Sequence, residues 1–236
     1  MNNRSYRFFD IILGLFVAVL LISNIASSAK IIDLGFSILH VPMAFDAGTL
    51  LFPISYVFGD ILTEVYGYQR SRRVIWTGFF SLALASLFFG IINALPGEST
   101  WQGYAGDTAY QSILGGMSTG GIVIASLAAF WLGEFSNSFI LAKMKVLTKG
   151  RWLWTRTIGS TLVGELIDTV IFVAVASAFG VFPWSLFFAL SLTNYLFKVG
   201  IEVLMTPITY AVVTGLKRVE SEDFYDRDTN FNPFAI

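Results

Sequence analysis

Six stretches of mainly apolar residues, 8–29, 47–66, 74–95, 119–142, 158–180 and 184–216, decide what this chain can fold into. Each has the length, about 20 residues, that crosses roughly 30 Å of hydrocarbon. In lipid, backbone groups have to bond within their own segment, so spans of this kind are helices. The fold class is an all-α integral membrane protein with six transmembrane helices. Composition agrees: 55% of residues are hydrophobic and 13% charged, with a mean hydropathy of +0.69, far from a soluble average. A bundle over 1–218 leaves a polar, acid-rich tail at 219–236, which reads as a solvated end of little order. The sixth span is over-long, which points to a tilt or an interruption near Pro207. No soluble ATPase or catalytic domain fits in the remainder.

Basic residues orient the bundle. Arg4, Arg7, Arg70, Arg72, Arg73, Lys143, Lys145, Lys149, Arg151, Arg156, Lys217, Arg218 and Arg227 fall on one side, and the opposite loops hold only Lys30 at a helix end. The positive-inside rule then places both termini in the cytoplasm. Ala26-Ser27-Ser28-Ala29 resembles a signal-peptide cleavage site, but the apolar run before it is longer than a usual signal core and reads as a retained span. The absence of cysteine excludes disulfides and thiolate chemistry. The single histidine, His40 in the first outer loop, excludes histidine metal triads and a serine–histidine hydrolase. The chain has no P-loop, and no cofactor is expected.

Charges inside these spans are the next constraint. Asp60, Glu64, Glu134, Glu165, Asp168, Glu202 and Lys198 sit in otherwise apolar sequence, where a charge near the bilayer centre costs roughly 2.5–3.5 kcal/mol even on lenient scales. Such residues line a pathway or a site. Tyr56, Asp60 and Glu64 are four apart and share a helical face. Pro53, a turn earlier, is expected to kink the span and free a carbonyl. Glu64 can equally serve as an interfacial partner of Arg70 or Arg72. Thr161, Glu165 and Asp168 or Thr169 share a face, and Ser160 with Gly164 forms a small-xxx-small pair that admits a neighbouring helix. Asn194, Lys198 and Glu202 follow one another on a face, with Tyr195 beside them. Lys198 either clips helices together by an ion pair or takes part in gating. Asn24, Glu134 and Asn137 complete the polar set. In the outer loop 96–118, aromatics either cap a cavity or form an interfacial belt.

Three spans per half is the arithmetic of an inverted repeat. Ser23-Asn24 with Ala29-Lys30 recurs as Ser136-Asn137 with Ala142-Lys143, and Gly59-Asp60 parallels Gly164-Glu165. A 3+3 inverted repeat is thus a possible reading of the bundle, with no match between spans three and six.

A carboxylate-rich cavity suits a small polar molecule with several N–H donors, since ionised Asp and Glu are acceptors only. Phe52, Tyr56, Phe172 and Tyr195 offer flat surfaces for a heteroaromatic ring. The run Phe52-Pro53-Ile54-Ser55-Tyr56-Val57-Phe58-Gly59-Asp60-Ile61-Leu62-Thr63-Glu64-Val65-Tyr66-Gly67, with Gly164 to Thr169 and Asn194-Tyr195-Leu196-Phe197-Lys198, resembles the queuosine precursor transporter family, also called vitamin uptake transporters. The resemblance covers essentially the whole chain. It implies import of 7-deazaguanines such as preQ0 and preQ1 across the bacterial inner membrane by a secondary carrier for tRNA modification. The partners it implies are the small-molecule 7-deazaguanine substrate and the lipid bilayer, with no nucleic acid and room for a homodimer. The residues fit such a cargo, because one carboxylate can accept a ring N–H and an amino group together. The candidate substrate-binding residues are therefore Asn24, Phe52, Tyr56, Asp60, Glu64, Glu134, Asn137, Glu165, Asp168, Asn194, Tyr195, Lys198 and Glu202. Two other classes stand beside this one: a substrate-capturing subunit of an energy-coupling-factor importer, for which Gly14 and Ala18 are a near match to a docking motif, and a helix-bundle assembly factor without substrate.

Overall fold

The computed structural model describes residues 6–38, 41–118 and 120–235. His40 lies outside them. The elements run α1 (Phe9–Ala29), a hairpin of β1 (Ile31–Ile38) and β2 (Val41–Asp46), a 3-10 turn (Ala47–Leu50), α2 (Phe52–Tyr66), α3 (Tyr68–Ala94), α4 (Ser99–Tyr104), α5 (Gly106–Ser118), α6 (Gly120–Leu147), α7 (Leu153–Ala178), a second 3-10 turn (Trp184–Leu186) and α8 (Phe187–Glu220). Among the described residues, five helical stretches are long and apolar enough to cross a membrane: Phe9–Ala29, Tyr68–Ala94, Gly106–Leu147, Leu153–Ala178 and Trp184–Glu220. The chain is a multi-pass membrane protein. Its lipid-facing stripe is plain on α3, where Phe80, Leu84, Leu87, Phe88 and Ile91 are each more than half exposed at helical spacing.

The stretch 47–66 differs from the full span its composition predicts. Only the 15 residues of α2 are α-helical, and almost all of them are buried inside the bundle. The helix is short because Pro53 occupies its first turn, where the missing N–H is one of the groups that would be unbonded anyway. Pro53 therefore starts the helix and does not kink it, and the Phe52 carbonyl accepts the Ser55 hydroxyl at 2.6 Å. Gly67 ends it at φ +86°, where an added Cβ would run into the Phe224 ring. Pro207 likewise produces no break: α8 continues across it, and the hydroxyl of the preceding residue, Thr206, donates to the Glu202 carbonyl at 3.1 Å.

The segment 96–118 is helical over most of its length despite its glycines. Glu98 caps α4, accepting the Trp101 N–H at 2.9 Å. The N–H groups of Thr100 and Trp101 hold its carboxyl down to about 2.

The polar tail is not the solvated end that its composition predicts. Glu220 closes α8 and accepts the N–H groups of Arg7 and Phe8 at 3.0 and 2.8 Å, placing a negative charge at the N-terminus of α1. Asp226, 2% exposed, does the same for α3 by accepting the Tyr68 N–H. Arg72 donates to the carbonyls of Asn230 and Asn232, and the Trp76 indole to that of Pro233. Phe231 packs on Tyr68 with ring centroids 4.9 Å apart. Residues 221–235 are thus a strap across the basic end of the bundle, drawn in by helix ends that need acceptors and donors.

Acidification tests that strap. Burial pushes Asp223 upward, but hydrogen bonds and charge from Lys145 and Lys217 outweigh it and hold the carboxyl below its ordinary value. A lowered carboxyl stabilises the fold fully above the unfolded value, about 3.9, and that contribution disappears as pH falls through the lower folded value. Asp223→Asn is expected to speed proteolysis within 221–235 about two- to fivefold at neutral pH, the scale of a partly exposed pair. The difference from the parent should vanish in strong acid.

Candidate functional site

A cavity of about 580 Å³ opens between α1, α3, α5, α6, α7 and α8, within the size range of small-molecule sites, about 300–1,000 Å³. Phe52 at the start of α2 and Phe130, Phe172 and Phe182 give it aromatic walls. Its polar lining includes Asn24, Asp168, Thr169, Asn194 and Lys198. Lys198 Nζ stands 2.5 Å from Asp168 Oδ2 and 3.2 Å from Glu165 Oε2, and 4.2 Å from the centre of the Phe52 ring. One cation is thus shared between two carboxylates and an aromatic face. Asn24 keeps its side-chain N–H on the Leu20 carbonyl, which leaves its carbonyl oxygen for the cavity.

Close helix contact sets this geometry. A Cβ on Gly164 would stand 2.8 Å from Asn137 Cβ and 3.1 Å from the Gly133 carbonyl oxygen, and one on Gly133 would meet the Tyr56 hydroxyl at 2.7 Å and Asp168 Cβ at 2.8 Å. The expected close approach at Gly164 is therefore real, and its partner is α6. It brings α2, α6 and α7 together at one level.

Behind the cavity lies a buried polar layer. Asp60, Glu134, Asn137 and Glu202 are buried and do not line the cavity. Asn137 donates to Asp60 Oδ1 at 2.8 Å. Among the described residues, Tyr56 Oη, Asp60 Oδ2, both Glu134 oxygens, Asn137 Oδ1 and Glu202 Oε2 have no hydrogen-bond partner. Tyr56 and Glu165 sit between the two layers: Tyr56 packs on Phe52 with centroids 5.8 Å apart, and Glu165 reaches the shared lysine.

Glu64 is elsewhere. At the basic end Arg156 grips both its oxygens, at 2.7 and 2.8 Å, and Lys145 and Lys217 close on Oε1. Lys145 also donates to Asp223 Oδ1 at 2.6 Å and to the Phe224 carbonyl at 2.8 Å. The acid is a structural hub, and its partners are not Arg70 or Arg72, which bond the Tyr66 carbonyl and the tail. Tyr195 donates to the Leu162 carbonyl and is not part of the cavity lining. Of the sequence candidates, Asn24, Phe52, Asp168, Asn194 and Lys198 meet at the cavity. The hydroxyls of Ser27, Ser28, Thr49, Ser86 and Ser126 also line it. Sequence reasoning missed them because a helical Ser or Thr ordinarily bonds its own backbone.

Comparison with known proteins agrees with this picture. Residues 46–212 match the family described as "Putative vitamin uptake transporter". A "Probable queuosine precursor transporter" of Bacillus subtilis is 25% identical over 89% of this chain and 95% of its own length. One of Haemophilus influenzae is 26% identical over 72% and 68%. The "Queuosine precursor transporter" of Escherichia coli is 25% identical over 81% and 82%. No solved structure matches the chain. The match runs from the turn before α2 into α8 and takes in the shared lysine and both its carboxylates, and on it the chain belongs to the vitamin uptake transporter family.

Proposed function

We propose that this protein is a carrier that imports queuosine precursors, 7-deazaguanines such as preQ0 and preQ1, through the cavity between α1 and α8. The observation that carries the site assignment is the Lys198–Asp168 pair at the wall of an aromatic-lined cavity. An amino-pyrimidinone edge presents two parallel N–H donors, which match one carboxylate. Such an edge can take Asp168 from Lys198, leaving the lysine to Glu165 at 3.2 Å, so no charge is stranded as the cargo enters. Phe52 and Phe172 provide stacking faces, and the amides of Asn24 and Asn194 hydrogen-bond the remaining polar atoms. Relatives named as queuosine precursor transporters support the substrate class.

In this reading the bundle crosses the inner membrane six times, with α2 as the short crossing and both termini in the cytoplasm. The lysines and arginines that cluster with the tail support that orientation. The test is queuosine in tRNA of cells that lack both deazaguanine synthesis and their own importer. Expression of this chain is expected to restore it at low external preQ0 or preQ1. Unmodified tRNA despite normal membrane expression would exclude import of these bases.

A further inference from the structure

Glu134 takes no part in that cavity, yet its surroundings are unlike those of a structural acid. Its side chain is fully buried, and among the described residues neither oxygen has a hydrogen-bond partner. Of the other acids at this level, Asp60 has Asn137 and Asp168 and Glu165 have Lys198, while Glu202 is buried with its Oε2 unpartnered among the described residues. Gly59 of α2 makes room for the Glu134 carboxyl, since a Cβ there would stand 2.8 Å from Oε2. The titratable groups whose charges reach it are Tyr56 and Asp60 from α2, Glu165 and Asp168 from α7 and Glu202 from α8. Lys198 is one step removed, behind Asp168 and Glu165. The charges that act most on Glu134, those of Asp60, Glu165 and Asp168, are all acidic.

An ionised carboxylate there would be buried, without donors and repelled by its neighbours, a state that costs several kcal/mol. A proton removes the charge and makes the group a donor. Asp60 Oδ2 and Asn137 Oδ1, on the residue after Gly59 and on the next turn of α6, are buried acceptors without a donor. We propose that Glu134 is a proton-binding site of this carrier, distinct from the substrate cavity, through which a proton gradient drives uptake. A proton from water on one side forms an O–H bond at a Glu134 oxygen. When the bundle opens the other way, that bond breaks and the proton passes to water there. The gradient coupling rests on the import reading above; the proton site does not.

Two measurements on the full chain test it. Infrared spectroscopy should show a protonated-carboxyl carbonyl band that Glu134→Gln removes. In proteoliposomes with labelled preQ0, an inward proton gradient of one pH unit should give about tenfold accumulation for one proton per substrate. Glu134→Gln, a neutral isostere of the protonated acid, should still exchange labelled preQ0 but reach a ratio of about one. Absence of the band in the parent protein, its survival in Glu134→Gln, or gradient-driven accumulation by that variant would each overturn the proposal. If no preQ0 moves under any condition, the import reading fails and the infrared band alone decides the proton site.

Discussion

Glu64→Gln is expected to destabilise the protein by about 3–5 kcal/mol, the cost of removing one partner from a buried ion pair. The effect should sit at the top of that range because one carboxylate serves three cations. Arg156, Lys145 and Lys217 converge on it, and without its charge Asp223, itself 44% exposed, is the remaining acid of the cluster. The loss would spread from the ion cluster into the strap, since Lys145 also holds Phe224. Thermal unfolding in detergent measures it. A change below about 1 kcal/mol, the scale of an exposed pair, would mean that the hub is not a closed one.

Gly164→Leu is expected to cost about 3 kcal/mol or more, beyond ordinary overpacking of about 1–3 kcal/mol. The added side chain meets backbone here: Gly133 O on the facing helix and Asn137 Cα lie 3.1 and 3.3 Å from the new Cβ, and neither can rotate away. Separating α6 from α7 would also move Asp168 away from Gly133, whose added Cβ would stand 2.8 Å from Asp168 Cβ. Loss of a monodisperse gel-filtration peak is the expected readout, with Gly164→Ala intermediate. A Leu variant as stable as the parent would contradict the backbone contact.

Local pattern made much of this legible. Apolar runs located the long helices, and four-residue spacing put Asn194 and Lys198 on the face that meets the cavity. Long-range pairing was not legible. Glu64 has basic residues a turn or two away, yet its ligands are 81, 92 and 153 residues distant, and no spacing rule connects them. The tail is polar in composition, but its acids find helix N-termini at Phe8 and Tyr68, which exist only once the bundle is assembled. The stretch around Asp60 resembles a site motif, and it builds the wall behind the site: Asp60 faces Asn137 and not the cavity. Depth along a helix separates such residues, and sequence gives depth only to within a turn.

Asp168 is where fold and function meet, as the carboxylate that Lys198 holds and that the cargo would claim. The decisive measurement is counterflow of labelled preQ1 into proteoliposomes of the purified chain, compared with Asp168→Asn. The parent should take up label, with excess unlabelled preQ0 or preQ1 competing. Asp168→Asn, correctly folded, should be slower by about tenfold or more, since a hydrogen bond to a charged group contributes about 1.5–3 kcal/mol. Uptake by the folded variant at the parent's rate would contradict the account at its centre.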